Sequence, residues 1–429
     1  MALSNLMLSC SSSSDVTEDL GDTKQPINML FDQEYIQLTP AQQDFANDNN
    51  QFTLNFLKTV NEVDQSSKSF IYSPLSITYV LSMVNDAAVG ETEKELEQTL
   101  GFHEGGIQAV NEYCKKLIEG LPKVDKDVTL NIANAIFVNQ GYTLKKQFEQ
   151  DMKYYYDAKA EALDFSSPET LDHINGWCND KTRGMIPTIL DEVDPRMMSY
   201  LLNAIYFKAD WGSKFDPKNT KLEEFQSVNH EKNLRELPMM HQKVLISYVE
   251  NEEFSAIKIP YGNGMWNMTV FLPKEEKSTN DIINYLSTVG FRNIESFCGI
   301  GGGVFSSYEV DLKLPRFETA SDTDDLNGKL IGLMQKMGIH LAFDHNFSEI
   351  PNMCEVPVHI DMMRQKAKIK VNEEGSEAAA VTVGGIYENT GPSIDDYPKA
   401  TFHANRSFVY VIREASSGVI LFVGKFTGI

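Results

Sequence analysis

The spacing of apolar and polar residues predicts helices in the first third of the chain and strands in the last two thirds. Apolar residues recur at helical intervals over 52–63, 75–86 and, among many charges, 91–100. Short runs rich in β-branched and aromatic residues predict strands at 129–138, 201–207, 268–272, 310–314, 368–371, 408–412 and 419–423. A turn cluster at 415–418 separates the last two runs, which are therefore predicted to form a buried hairpin. This segregation is typical of an α+β domain.

One segment, residues 371–382, is unusual for an ordinary loop. It reads VNEEGSEAAAVT, with small side chains at every second position, and a long polar stretch follows it. Alternate small residues suit a strand that slides one face onto a crowded core. Gly375 supplies backbone freedom where such a segment would swing. The pattern predicts a hinge that changes its secondary structure during function, and its residues are Glu373, Glu374, Gly375, Ser376, Glu377, Ala378, Ala379, Ala380, Val381 and Thr382.

Length and composition indicate one large domain. The chain has 429 residues, of which 42% are hydrophobic, and no Pro/Gly/Ser-rich linker divides it after its first fifty or so residues. The net charge of −23 and the pI near 4.8 argue against nucleic acid or a polyanion as a partner. The apolar runs are all shorter than the ~18 residues that span a bilayer.

Sequence signatures of catalysis and of metal binding are missing. The chain has no Gly-x-Ser-x-Gly, no His-Glu-x-x-His and no phosphate-binding Gly-x-x-x-x-Gly-Lys-Ser/Thr motif. The eight histidines are scattered, and the cysteines form no Cys-x-x-Cys pair. The sequence therefore predicts no catalytic residue, no metal site and no cofactor. Four cysteines are predicted to be buried small apolar residues: Cys114, Cys178, Cys298 and Cys354.

The fifth cysteine, Cys10, follows a short apolar stretch and precedes a run of serines and acids. Residues 1–10 resemble the end of a bacterial lipoprotein signal, although the basic region that opens such signals is missing. In this interpretation Cys10 carries the lipid, residues 11–47 form a disordered tether, and the folded domain covers 48–429. The protein would then be anchored at the bacterial cell envelope. The alternative is a disordered tail with an incidental cysteine, on a secreted or extracellular protein.

Several motifs together resemble those of serpins, the suicide inhibitors of proteases. Residues 371–382 are similar to the hinge of the serpin reactive loop, and residues 402–425 resemble the C-terminal signature of the family, with Ser407 in place of a usual proline. Further similarities follow in the expected order at 72–77, 130–137, 174–186, 202–220, 310–317 and 337–348. The resemblance implies helices around a large mixed main sheet and smaller sheets, with an exposed reactive loop at about 373–401.

The resemblance also implies a function. In serpins the protease cuts the loop and forms an acyl-enzyme, and the loop then inserts into the main sheet and traps the protease. The implied partners of this monomeric inhibitor are serine endopeptidases, with papain-like cysteine endopeptidases as further candidates. The alternative is a serpin fold that does not inhibit and serves as a binding or chaperone module. Inhibition is favoured because the hinge positions that would face the core, at 376, 378, 380, 382 and 384, carry only small uncharged residues.

The length of serpin loops places the cut. Counting about seventeen residues from Glu373 puts the reactive bond between Asn389 and Thr390, and cuts after Glu388 or Tyr387 also leave a strand long enough to span the sheet. No Lys or Arg lies between 377 and 398, so proteases that prefer apolar residues are expected targets and trypsin is not.

Polar residues beneath the central strands control how serpin sheets open. The matching positions here are Ser73, Ser76, Asn203 and Gln365, the last in place of a usual histidine. A glutamine amide can both donate and accept hydrogen bonds, so the network can persist without a titrating group. The alternative is that the four residues are simply buried polar groups with satisfied hydrogen bonds.

Overall fold

Four of the helices described below lie in the first third of the chain. The computed structural model describes residues 33–64, 66–227, 234–290, 306–376 and 397–429. Its α-helices within these residues are α1 Pro40–Val63, α2 Pro74–Ala87, α3 Gly90–Leu100, α4 Gly106–Gly120, α5 Lys146–Tyr156, α6 Glu169–Lys181, α7 Thr279–Val289 and α8 Lys329–Met337. Helix α2 is buried along nearly its whole length and therefore lies at the centre of the fold.

The strands form two sheets. They are β1 Phe70–Tyr72, β2 Thr129–Asn139, β3 Lys159–Leu163, β4 Ser199–Asp210, β5 Lys221–Gln226, β6 Leu234–Glu250, β7 Phe254–Tyr261, β8 Trp266–Pro273, β9 Ser306–Pro315, β10 Phe317–Asp322, β11 Met363–Val371, β12 Gly375–Ser376, β13 Lys399–His403, β14 Phe408–Glu414 and β15 Ile420–Phe426. A nine-stranded sheet has the order β1-β15-β14-β8-β7-β6-β9-β13, with β5 paired to β6. A six-stranded sheet has the order β10-β11-β12-β4-β2-β3.

The six-stranded sheet is mixed, and its centre is split at one end. Strands β11 and β4 run parallel and pair directly at 363–366 and 201–204. Towards the other end the two-residue strand β12 lies between them and pairs antiparallel with both. The large core lies on one face of this sheet, with α1, α2 and the closing hairpin. A smaller core, which includes Ile174, Trp177 and Cys178, lies between α6 and the opposite face.

The predicted elements are largely confirmed. The helices at 75–86 and 91–100 and all seven predicted strands are present with small shifts of their ends. The closing hairpin pairs antiparallel, and every residue of β14 and β15 is buried. Cys114, Cys178 and Cys354 are buried free thiols as predicted. Cys298 and Cys10 lie outside the described residues.

The predicted start of the folded domain is wrong. Residues 33–47 were assigned to a disordered tether, but α1 begins at Pro40 rather than at 52. Thr39 and Gln42 form a capping box at its first turn, with Pro40 at the first helical position. The preceding segment is also ordered, because Ile36 is buried and its amide donates to Ser416 Oγ at 3.0 Å.

Candidate functional site

The base of the predicted hinge is a tight turn that leads into the six-stranded sheet. The side-chain oxygen Oδ1 of Asn372 accepts hydrogen bonds from the backbone amides of Glu374 (3.0 Å) and Gly375 (3.2 Å). The backbone amide of Asn372 donates to the Gly375 carbonyl at 2.9 Å. This arrangement reverses the chain after β11, as asparagine side chains commonly do in turns. The two residues that follow then start a new strand.

That new strand, β12, separates β11 from β4. Gly375 pairs with Asp210, and Ser376 pairs with both Ala209 and Val371. A Cβ atom at Gly375 would lie 2.1 Å from the Ala209 carbonyl oxygen, so a side chain cannot fit there. Gly375 is therefore required by the close approach of two backbones, in addition to the flexibility expected from the sequence.

The Ser376 side chain lies in the core rather than in solvent. Its hydroxyl is 2.7 Å from the Tyr261 hydroxyl, and both residues are fully buried. Burial raises the pKa of Tyr261 far above its ordinary value, so the phenol stays neutral. Tyr261 stacks on Trp211 with ring centroids 4.4 Å apart and an interplanar angle of 9°. Ser376 thus packs against the stacked rings of Tyr261 and Trp211.

Trp211 and Phe215 hold the turn through its backbone. The Trp211 indole donates to the Asn372 carbonyl at 2.8 Å, and its amide donates to the Glu374 carbonyl at 2.7 Å. The Phe215 amide donates to the Glu373 carbonyl at 3.0 Å. These residues were part of a motif noted in the sequence, but nothing in the sequence indicated that they bind the hinge.

Ion pairs and a hydroxyl hydrogen bond also hold the side chains of the hinge base. The carboxylate of Glu373 is almost completely buried and accepts hydrogen bonds from Arg316 and from the Thr220 hydroxyl (2.6 Å). Burial disfavours its charge, but these hydrogen bonds outweigh burial and hold the pKa of Glu373 below its ordinary value. Lys214 bridges Glu374 (2.7 Å) and Asp210 (2.8 Å). The hinge base is therefore anchored at neutral pH.

The structure brings the four predicted sheet-opening residues together. Gln365 Nε2 donates to the Ser73 carbonyl (2.8 Å) and to Asn203 Oδ1 (3.3 Å), and its Oε1 accepts from the Ser73 amide at 3.0 Å. Ser73 Oγ donates to Ser76 Oγ at 3.1 Å. All four residues are essentially inaccessible to solvent. The Gln365–Asn203 bond joins β11 to β4 directly, so the two strands cannot separate here without losing it.

Two further residues belong to this cluster and were not found from the sequence. Asn134 on β2 accepts from Asn203 Nδ2 at 2.8 Å, and Thr323 Oγ1 accepts from the Gln365 amide at 3.0 Å. Strand register explains the arrangement, since Gln365 lies opposite Asn203 and Asn203 lies opposite Asn134. Three amide side chains thus form one row across β11, β4 and β2, which we call the amide row.

Other candidate positions have no described geometry. Residues 377–382 of the hinge, the reactive-bond candidates Tyr387, Glu388, Asn389 and Thr390, and the lipidation candidate Cys10 all lie outside the described residues. Within the described part of the chain, no cluster of three or more His, Cys, Asp or Glu residues could hold a metal ion. A search of the same residues finds no helix that is long and apolar enough to span a membrane.

Comparisons with known proteins agree with this geometry. The family model described as "Serpin (serine protease inhibitor)" matches residues 47–429. Serpin B6 of Macaca fascicularis is 27% identical over 387 residues, which cover 89% of this chain and 98% of that protein. The native-state structure of the thermophilic serpin Tengpin is 25% identical with a TM-score of 0.76, covering 92% of this chain and 95% of Tengpin. Human thyroxine-binding globulin, solved with its hormone, shares the fold at 24% identity and a TM-score of 0.77, covering 90% and 98%.

Proposed function

The chain belongs to the serpin family, and from this premise we propose that it inhibits serine endopeptidases as a suicide substrate. Cleavage at the reactive bond would release the hinge, and the residues that follow Ser376 would then continue β12 as a full strand between β11 and β4. The acylated protease would be carried along the sheet and trapped. The observation that carries this proposal is β12 itself, because Gly375 already pairs with β4 and Ser376 already pairs with both β4 and β11.

The register of β12 supports the proposal further. Continuing the same antiparallel pairing puts Ala378 between Phe207 and Ile369, and Ala380 between Ile205 and Ala367. These four neighbours are buried core residues. Only small side chains could be accommodated among them without displacing the core. The loop carries alanine at both positions.

The same register reaches the amide row at Thr382. This residue would lie opposite both Asn203 and Gln365. Insertion must break the hydrogen bond that joins these two side chains. A hydroxyl can donate and accept, so Thr382 could satisfy both amides after the strands separate. The only side chain of 378–384 that has a hydroxyl group therefore falls where two buried amides would otherwise be left without a partner.

A protease panel tests the proposed function. We expect chymotrypsin-, elastase- or subtilisin-like enzymes to form a 1:1 covalent complex that survives denaturing electrophoresis. Papain-like enzymes are a further candidate class for the same panel. Trypsin should form no useful complex, because no Lys or Arg lies between 377 and 398. Mass spectrometry of the released C-terminal peptide should show a first residue at 388, 389 or 390.

The same panel separates the alternatives. Cleaved protein without any covalent complex, across the whole panel, would favour a non-inhibitory binding or chaperone module. A covalent complex whose peptide starts outside 388–390 would retain inhibition but overturn the assignment of the reactive bond.

We propose separately that the protein is a bacterial lipoprotein anchored through Cys10, on the evidence of the sequence around that residue alone. A diacylated cysteine supplies two acyl chains, which suffice for stable membrane attachment. Cys10→Ala should move the protein from the membrane to the soluble fraction when it is expressed in its own host, while Ser11→Ala should not. Membrane association that survives Cys10→Ala would refute the anchor.

A further inference from the structure

Two lysines occupy the next position in the register on both sides of the hinge. Ser376, the last residue described before the loop, pairs with Ala209 on β4 and with Val371 on β11. One step further along these antiparallel registers lie Lys208 on β4 and Lys370 on β11. Because side chains alternate between the faces of a sheet, both lysines point away from the core that holds Ser376. Their partial or full exposure agrees with this orientation.

Among the described residues, neither lysine forms an ion pair, in contrast to its neighbours. On the same face of β11, Lys366 pairs with Asp322 (3.4 Å). Glu318 lies opposite Lys370 in the register with β10, but its carboxylate is paired with Lys368 at 2.8 Å. On β4 the next carboxylate of that face, Asp210, is held by Lys214 at 2.8 Å. The gap between β11 and β4 that begins at β12 is called the cleft here. The two lysines flank its end, and neither forms an ion pair with a described carboxylate.

We propose that Lys208 and Lys370 form a carboxylate-binding site at the entrance of the cleft and that its occupant is Glu377 of the same chain. The inference rests on the proposed function, since Glu377 would reach the site when the loop inserts. Glu377 is the residue directly after Ser376 and is the only acidic residue of 376–384. Cross-strand neighbours lie about 4.5–5.5 Å apart at Cβ, which places one carboxylate within reach of both ammonium groups.

The site would fix the register of insertion. A slip of one residue would move every side chain of the loop to the opposite face of the sheet. Glu377 would then be forced into the core between Phe207 and Ile369 or between Ala209 and Val371, where a carboxylate has no partner. In the correct register it lies between two cations. Since Glu377 is the first new residue to enter, this choice is made at the first step of insertion.

A double-mutant cycle on insertion tests the site. The loop is cut with excess protease in a rapid-mixing experiment, and insertion is followed by the fluorescence of Trp211, which contacts the hinge base. Glu377→Gln and Lys370→Gln should each slow insertion about two- to fivefold, as expected of an exposed ion pair. The double variant should be no slower than the slower single variant. The triple charge exchange Glu377→Lys, Lys208→Glu, Lys370→Glu should recover most of the rate that Glu377→Lys alone loses.

Lys366→Gln is the matched control, because Lys366 lies on the same face of β11 and pairs with Asp322, which lies opposite Lys366 rather than opposite Lys370. It should show no coupling to Glu377→Gln. Additive effects of Glu377→Gln and Lys370→Gln, or equal coupling to Lys366, would overturn the site while a covalent protease complex still supported the proposed function. Coupled insertion without any covalent complex would support the site and overturn inhibition. A cut loop that never inserts would overturn both.

Discussion

Ala378→Arg should convert the protein from an inhibitor into a substrate. In the proposed continuation of β12, position 378 would lie between Phe207 and Ile369, both in the buried core. An arginine there would have to enter without a counter-charge, at a cost of at least about 3 kcal/mol. That cost would slow insertion about a hundredfold, so the acyl-enzyme would hydrolyse before it is trapped. Ser376→Arg should act in the same way, since Ser376 is fully buried against Tyr261.

The measurement is the stoichiometry of inhibition, obtained by titrating a fixed amount of protease. The matched control is Ala379→Arg, which carries the same substitution one residue further. In the proposed register position 379 would lie between Tyr206 and Lys368, on the face opposite the large core. We expect a large rise in stoichiometry for Ala378→Arg and a small one for Ala379→Arg. Equal values for both variants would refute insertion in this register.

Cleavage of the loop should raise the melting temperature of the wild-type protein by about 12 °C. Insertion would add on the order of ten net hydrogen bonds between the loop, β4 and β11, each worth about 1 kcal/mol. The unfolding entropy of a domain of this size converts each of these kcal/mol into roughly 1.2 °C. The uncut protein is therefore expected to be held by kinetics rather than by the lowest free energy.

Calorimetry before and after limited proteolysis measures this gain, with gel analysis to confirm that only the loop is cut. Cleaved Ala378→Arg should melt close to the uncleaved protein, because its loop cannot enter the core. A wild-type protein that melts at the same temperature before and after cleavage would contradict the metastable fold and would favour the non-inhibitory alternative.

The start of the fold is hard to predict from an apolar pattern because half of the residues that α1 buries before Phe52 are polar: Phe45 and Ala46 are apolar, but Asn49 and Asn50 are not. Asn49 in α1 donates to Thr78 Oγ1 (2.8 Å) and to the Leu100 carbonyl (3.1 Å). Asn50 donates to the Gly418 carbonyl and accepts from the Ile420 amide. An apolar pattern cannot reveal buried asparagines whose hydrogen-bond partners lie between 29 and 370 positions away in the chain. The capping box at Thr39 and Gln42 was the local signal that could have located the helix start.

The strands were easier to predict than the site they build. Runs such as 408–412 and 419–423 are continuous and apolar, so their pattern alone locates a buried hairpin. The amide row is different, because Asn134 joins it through the register between β2 and β4. Registers depend on pairing between distant segments, and no local pattern sets them. The resemblance to serpins supplied four members of the cluster, and the structure was needed for Asn134 and Thr323.

The sequence predicts the hinge as one exposed segment, but its base already forms a strand of the six-stranded sheet. Gly375 and Ser376 form a two-residue strand. The alternating small residues from 378 onward lie outside the described residues, so the strand expected of them stays a prediction. The contacts that hold the two glutamates of the hinge base could not be predicted, because their partners come from separate parts of the chain. These partners are Arg316 and Thr220 for Glu373, and Lys214 for Glu374. The contacts explain why the strand starts at a fixed point.

The gap between β11 and β4 leaves strand edges that could promote self-association of the protein. The strands pair directly at 363–366 and 201–204, and β12 enters only at the opposite end, so the segments between have no mutual register among the described residues. Such edges can template any extended chain, including the loop of a second copy. Under the proposed mechanism, the molecule's own loop would compete at an effective concentration on the order of millimolar, because it belongs to the same chain. Self-association is therefore expected to become serious only in concentrated or heated samples.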